Sequence, residues 1–238
     1  MEIKKLPRIA PSETVVWLDF EGVLVKDNIL PYLFSYRPFL ALTSLFKGLV
    51  EALSLKIQNY KTNFREELIE KCKKCYEEGM SSSELSRLGS FIFQDQPQNH
   101  KKSLIELLYV LKEGYHDLYV ITSANKEIVR GFLDHLSHEI RPKEENIYAS
   151  EKKFIGSDEK AEIVESIKKK TSKKIIGVGD SREDEKALEK SDVRCIISSL
   201  PYKLMPIKSV EYKFKNLSSV KSFLSLILLD YELHNLES

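Results

Sequence analysis

Short apolar runs alternate with helical patterns along most of the chain. The run at residues 14–18 has the continuously apolar, β-branched character of a strand that is buried on both faces of a parallel sheet. Similar runs lie at residues 118–121, 146–149, 174–178 and 193–197. Apolar residues between the runs recur at helical spacing, as at Leu104, Leu107 and Leu111. This alternation predicts an α/β fold with a doubly wound parallel sheet.

The stretch between about residues 27 and 97 breaks this alternation because it contains no convincing strand. Residues 29–55 are rich in Leu, Phe and Tyr, and residues 60–78 are amphipathic and highly charged. We therefore predict an α-helical cap, residues 27–97, inserted into a core formed by residues 1–26 and 98–238. A last apolar helical pattern over residues 217–231 predicts a helix that packs on the core.

The apolar part of the predicted cap raises the question of a membrane. It contains the charged residues Arg37, Lys47 and Glu51 together with Pro38, which argues against a transmembrane span. We expect the apolar face of residues 39–55 to pack against the other cap helices. Peripheral contact of this face with a membrane surface is the less favoured alternative.

Composition and charge narrow the functional classes. The 238 residues include 37 basic and 36 acidic side chains, a net charge of +1, which argues against a protein that coats nucleic acid. Three cysteines cannot form a disulfide framework. No apolar stretch follows the early Lys4-Lys5 pair, so we expect no secretory signal and a cytoplasmic location.

Polar and charged residues stand where the predicted strands end. Asp19 and Glu21 follow the first strand, Thr122 ends the second, and Lys160 begins a predicted helix. The sequence Gly179-Asp180-Ser181-Arg182-Glu183-Asp184 follows the fourth strand. Because active sites of doubly wound sheets lie at the carboxyl ends of their strands, we expect these side chains to meet.

These residue types suit phosphoryl chemistry. A carboxylate can attack a phosphate ester only if cations offset the negative charge of both, and Mg²⁺ prefers oxygen ligands. Asp19 and Asp180 could supply such ligands, with the backbone carbonyl of residue 21. Asp184 could hold a ligating water or orient Asp180. Lys160 could neutralise the nucleophile and the phosphoryl oxygens, to which Thr122 could donate a hydrogen bond.

The motifs resemble those of the haloacid dehalogenase superfamily, especially phosphoserine-phosphatase-like members whose helical cap follows the first motif. The resemblance covers roughly residues 14–30 and 101–200. Asp19 matches the nucleophile of the family's Asp-x-Asp motif, and Glu21 takes the place of the second Asp, the general acid/base. Thr122, or Ser123 if the register slips by one, matches the second motif, and Lys160 matches the third. The fourth motif, Gly-Asp-x-x-x-Asp, is matched by Gly179 to Asp184 without alteration.

The resemblance implies an Mg²⁺-dependent phosphatase that hydrolyses a phosphate monoester through an aspartyl-phosphate on Asp19. It also implies that Asp19, Glu21, Asp180 and Asp184 bind the metal, with Glu21 contributing its backbone carbonyl. The substrate would be a phosphorylated small molecule, a lipid or a phosphoprotein. Glu21 departs from the family pattern by one methylene, about 1.5 Å of reach. The alternative is therefore a binding module of the same fold with little or no catalysis.

Overall fold

The computed structural model describes residues 7, 9–58, 64–151, 154–198 and 210–236. This part of the chain forms one six-stranded sheet in which all strands are parallel, in the order β3-β2-β1-β4-β5-β6. The strands are β1 (Thr14–Leu18), β2 (Asp117–Asn125), β3 (Ile147–Ser150), β4 (Lys174–Gly179), β5 (Val193–Ile197) and β6 (Tyr212–Phe214). The predicted α/β class and parallel sheet are confirmed.

Strand β1 lies at the centre of the sheet, and every one of its residues is buried. Leu18 pairs with Val120 of β2 on one side and with Val178 of β4 on the other. Strands β1 and β4 therefore end within one residue of each other, and β2 continues beside their ends to Asn125. Trp17 is fully buried in the core, and its indole N–H donates to Ser191 Oγ at 2.9 Å.

The described residues also form helices. They are α1 (Leu30–Tyr36), α2 (Pro38–Gln58), α3 (Phe64–Glu78), α4 (Ser82–Asp95), α5 (Gln98–Gly114), α6 (Lys126–Leu133), α7 (Ser157–Thr171), α8 (Glu185–Lys190) and α9 (Leu217–Leu236). Val164 and Ile167 of α7 and Leu188 of α8 pack into one buried cluster with Trp17 of β1. Helices α5 and α9 pack on each other, and the Tyr115 hydroxyl donates to the carbonyl of Leu224 at 3.0 Å.

The chain divides into two compact units. One holds the described residues of Met1–Asp27, Gln96–Lys126 and Leu136–Ser238, and the other holds those of Asn28–Asp95 and Glu127–His135. The second unit thus contains α1 to α4 and also α6, which the predicted cap of residues 27–97 did not include. Two glycines bring α4 and α6 together. A Cβ on Gly89 would lie 2.0 Å from the carbonyl oxygen of Ile128, and one on Gly131 would lie 1.9 Å from that of Ser86.

Some predicted elements differ in extent from those observed. The helical pattern of residues 29–55 is two helices, because Pro38 restricts the backbone of the preceding residue and Arg37 leaves helical geometry with φ −142° and ψ 81°. Of the predicted stretch 60–78, residues 60–63 lie outside the described part, and α3 begins at Phe64. Strand β6 was not predicted, since it has only three residues and all are half-buried.

The expectation for the apolar face of α2 is wrong. The buried side of this helix, which packs on α3, carries the small residues Ala41, Ser44 and Ala52. Its large apolar side chains, such as Phe39 and Phe46, remain exposed. A face of large apolar residues was expected to drive packing within the unit, but small residues allow closer approach between the helices.

Candidate active site

Asp19 is the first residue after β1, and backbone hydrogen bonds hold it in line with the sheet. Its N–H donates to the carbonyl of Val178 at 3.0 Å, so the pairing of β1 with β4 continues to this point. Asp19 Oδ1 accepts a hydrogen bond from the N–H of Phe20 at 2.8 Å. The side chain is almost fully buried. The carboxylate therefore has one fixed orientation at the sheet edge.

Lys160 lies in the first turn of α7, and its ammonium group is fully buried. Lys160 Nζ donates to Asp184 Oδ1 at 2.7 Å and lies 3.2 Å from Asp19 Oδ1. Lysine is rarely buried without a charged partner, because desolvation of an unpaired ammonium is costly. The lysine thus joins the loop after β1 to the loop after β4.

The loop after β4 is built around the carboxylate of Asp184. Asp184 Oδ2 accepts from the N–H of Asp180 at 3.0 Å, from the N–H of Ser181 at 3.2 Å and from the Ser181 hydroxyl at 3.3 Å. With Lys160 on its other oxygen, this carboxylate is buried and surrounded by donors. Asp184 therefore orients the turn that carries Asp180.

Gly22 lets the loop after β1 approach Asp180 closely. Its φ of +73° is in the left-handed region, which favours glycine. A Cβ at this position would lie 2.0 Å from Asp180 Oδ2. Any other residue would displace the Asp180 carboxylate, so the space beside it depends on this glycine. Gly22 directly follows Glu21 in the first motif, but its close approach to Asp180 cannot be read from the local sequence.

Three carboxylates share a small volume. Ligand oxygens of Asp19, Asp180 and Asp184 all lie within 4.8 Å of one another. Burial, the charge of Asp184 and that of Glu21 raise the pKa of Asp19 to about 7, although Lys160 opposes this. Burial and the charges of Asp19 and Asp184 raise the pKa of Asp180 to about 8. Negative charge is therefore in excess at this site.

The donor set fits a hard divalent cation. Burial alone would lower the pKa of Lys160, but Asp184 and Asp19 together raise it, so the lysine stays charged. Its single positive charge does not offset the neighbouring carboxylates, which keep raised pKa values. Mg²⁺ takes oxygen ligands and would supply the missing positive charge. Glu21 is also buried. Its negative charge contributes to the raised pKa of both Asp19 and Asp180.

Thr122 and Ser123 lie in β2, the strand next to β1, three and two residues before its last residue, Asn125. Thr122 is fully buried, and its Oγ1 accepts from the N–H of Ala124 at 3.1 Å. Ser123 Oγ donates to Glu183 Oε2 at 3.3 Å. In the sequence, Glu183 is only an interior position of the fourth motif. Its contact with Ser123 arises because β2 and the loop after β4 lie on either side of β1.

Comparison with known proteins identifies the fold. No family model matches the sequence, and no curated protein sequence matches it. Solved structures do match, and the following three each cover 94% of this chain. A phosphoserine phosphatase from T. onnurineus superimposes with a TM-score of 0.55 at 15% identity over 98% of its chain. A probable phosphoserine phosphatase from Vibrio cholerae gives 0.59 at 13% identity over 68% of its chain. A HAD family hydrolase from Salmonella enterica serovar Typhi gives 0.59 at 10% identity over 74% of its chain.

At these identities the likeness establishes the fold. The chain has the haloacid dehalogenase fold in the form that phosphoserine phosphatases have, as the motifs indicated. The shared fold and the carboxylate cluster are two separate observations. The superposition compares backbones, whereas the cluster consists of side chains.

The raised pKa values predict that the metal-free protein loses stability as the pH rises. The folded protein keeps protons on Asp19 and Asp180 up to about pH 7 and 8, whereas unfolded Asp releases its proton near pH 4. The free energy of unfolding therefore falls between these pH values. Asp180→Asn removes one of the two groups. At pH 8 without metal, we expect this variant to melt at least about 2 °C above the wild type.

Thermal melts followed by circular dichroism at pH 4 and pH 8 test this expectation. The difference should shrink at pH 4, where Asp180 is protonated and resembles asparagine. Added Mg²⁺ should stabilise the wild type at pH 8 more than it stabilises the variant. The surface change Asp95→Asn is the matched control, because Asp95 is exposed and lies outside the cluster. A variant that is no more stable than the wild type at pH 8 would contradict the charge excess.

Proposed function

We propose that this chain, whose fold is that of the phosphoserine phosphatases, is an Mg²⁺-dependent phosphatase that hydrolyses phosphate monoesters through an aspartyl-phosphate on Asp19. One observation carries the proposal: the buried carboxylates of Asp19 and Asp184 and the half-buried carboxylate of Asp180 converge around Lys160. A protein without chemistry to perform gains nothing from such a cluster, since each charge raises the free energy of the others. Local conflicts of this kind are expected at functional sites.

The metal would be held by Asp19, Asp180 and the backbone carbonyl of Glu21. When bound, it supplies positive charge that offsets the carboxylates and the phosphoryl oxygens. Asp184 has both oxygens occupied by donors from Lys160, Asp180 and Ser181. It therefore acts mainly by orienting Asp180 and Lys160, the second of the two roles that its position in the motif allowed.

The chemistry proceeds in two steps. Asp19 attacks phosphorus, the bond from phosphorus to the ester oxygen breaks, and the leaving oxygen takes a proton from Glu21. Glu21, now a carboxylate, accepts a proton from water, which attacks the same phosphorus. The bond between phosphorus and Asp19 then breaks, and inorganic phosphate leaves. Lys160, which contacts Asp19 Oδ1, neutralises the attacking group and the phosphoryl oxygens.

Thr122 is a better donor to the phosphoryl group than Ser123. The Thr122 oxygen accepts from the N–H of Ala124, and a hydroxyl that accepts such a bond can still donate its own hydrogen. The Ser123 hydroxyl already donates to Glu183. We therefore assign the second motif to Thr122.

A second candidate function rests on Glu21. Its side chain is one methylene longer than the aspartate of the family motif, and a misplacement of about 1 Å can cost about 10²-fold in rate. A binding module with little or no catalysis would tolerate this change. The intact arrangement of Asp19, Lys160 and Asp180 favours the enzyme, because binding alone does not need an oriented nucleophile. Phosphorylated small molecules, lipids and phosphoproteins are all compatible with the proposal.

Replacing Asp19 tests the proposal directly. Asp19→Asn should lower the hydrolysis of p-nitrophenyl phosphate in Mg²⁺ by at least about 10²-fold, since an amide cannot attack phosphorus. Released p-nitrophenol is the readout, and a phosphorylated compound panel extends it. Asp95→Asn is the control for a change of charge alone and should retain full activity. If Asp19→Asn retained more than a few per cent of the wild-type rate, the aspartyl-phosphate mechanism would be wrong.

Glu21 variants distinguish an impaired phosphatase from a binding module. Glu21→Gln should reduce turnover by about 10²-fold, because the amide can neither protonate the leaving group nor activate water. Calorimetric titration should find Mg²⁺ affinity little changed, since the proposed ligand is the backbone carbonyl. Glu21→Asp should raise turnover if the longer acid impairs an ordinary site. Robust wild-type turnover that is indifferent to Glu21→Gln would exclude this residue as the acid, and a wild type without activity on any ester would favour the binding module.

A further inference from the structure

Helix α2 presents large apolar side chains to its surroundings along one stripe. Phe39 is 86% exposed, Phe46 is 67% exposed and Val50 is 60% exposed. Together with Leu42 and Leu53, which are also exposed, they follow helical spacing over about 21 Å. We call these five residues the α2 stripe. Contiguous exposed apolar surface of this kind marks an interaction site.

The opposite side of α2 carries small residues. Ser44, Gly48 and Ala52 are buried at intervals of four residues, and a Cβ on Gly48 would lie 2.7 Å from the backbone nitrogen of Cys72 in α3. In a water-soluble helix, the large apolar residues normally face the protein and the polar ones face solvent. In α2 the small residues lie between the helices and the large apolar residues lie outside. This distribution is typical of helices that contact lipid.

Length and composition support lipid as the contact. Residues Pro38–Lys56 are long and apolar enough to cross a membrane, yet only 22% of the most apolar window is buried, unlike the core helix of a soluble protein. The α2 stripe has no hydrogen-bonding side chain, whereas protein interfaces are enriched in Tyr, Trp and Arg and have a polar rim. The stripe is therefore better suited to acyl chains than to a second protein surface.

The charges near the stripe favour an anionic surface. Helix α2 contains Lys47, Glu51 and Lys56 as its charged residues. Glu51 turns toward α3, where its carboxylate lies 3.9 Å from Cys75 Sγ. Lys47 is exposed and directly follows Phe46, so its ammonium group lies on a side chain that flanks the stripe. Basic residues beside an apolar face attract anionic headgroups.

Helix α3 decides between lying on the bilayer and crossing it. Nine of its fifteen residues are charged, and it packs along α2. Such a helix cannot enter the hydrocarbon region, so α2 cannot cross the bilayer while the two remain packed. We propose that α2 docks the protein on the surface of an anionic lipid bilayer through the α2 stripe, with α3 on the aqueous side. The inference is independent of the proposed phosphatase activity.

Vesicle binding by the full chain tests the proposal. The probe is sedimentation with vesicles of equal parts phosphatidylcholine and phosphatidylglycerol. The wild type should co-sediment, and the triple change Phe39→Gln, Phe46→Gln and Val50→Gln should weaken partitioning at least about tenfold. These side chains are exposed, so circular dichroism melts of variant and wild type should agree.

The matched control changes exposed leucines of α9. Leu226, Leu229 and Leu233 are 51%, 53% and 60% exposed, and glutamine at all three removes a similar apolar surface. This control should bind vesicles like the wild type. Equal loss in the two triple variants would overturn the proposal, since binding would then reflect exposed apolar area in general.

Fluorescence locates the contact. Trp17 is the single tryptophan and is fully buried, so brominated acyl chains should not quench the wild type. In Phe46→Trp, the introduced indole should be quenched when the vesicles contain such chains. Absence of both co-sedimentation and quenching would overturn the proposal. So would a wild-type dimer that the α2 glutamine variant converts to monomers without any vesicle binding, because the stripe would then contact a second copy.

Discussion

The buried ammonium of Lys160 is the contact on which the arrangement of the site depends. It joins Asp19, which continues β1, to Asp184, which shapes the loop after β4. Neither carboxylate could remain buried as an anion without it, because an unpaired charge in the interior is costly. Asp184 in turn holds the backbone that carries Asp180. One lysine in the first turn of α7 thus sets the relative positions of two loops.

The single charge of Lys160 does not neutralise the three carboxylates around it. This excess of negative charge is the feature that supports the proposed metal-dependent function. Asp180 has a raised pKa even though Lys160 lies nearby. Gly22 adds to the crowding, since its positive φ brings the first loop against the Asp180 carboxylate. A divalent cation would supply positive charge that offsets both these carboxylates and the negative oxygens of a phosphoryl group. Glu21 stands where the resembled motif has aspartate, and in the proposed mechanism this change would affect turnover more than metal binding.

The elements that were predicted from the sequence are those whose patterns are local. The residues of β1 form an apolar, β-branched run, and Asp19 and Asp180 directly follow the ends of β1 and β4. The packing of α6 against α4 could not be predicted from the sequence. Gly89 and Gly131 allow the two helices to approach closely, but a glycine in a helical pattern does not indicate which helix it contacts. The exposure of Phe39 also could not be predicted from the local sequence pattern. An apolar helical face predicts contact with something apolar, but not whether that partner is the protein itself.

The central claim is that Asp19 accepts a phosphoryl group with the help of Mg²⁺. Beryllium fluoride tests it without knowledge of the substrate, since it occupies the place of a phosphoryl group on an aspartate carboxylate. Fluorine NMR of the wild type with beryllium fluoride and Mg²⁺ should show a bound resonance. The resonance should vanish when a chelator removes Mg²⁺ and should be absent in Asp19→Asn. A wild type without bound fluoride, or an Asp19→Asn variant that retains it, would contradict the account.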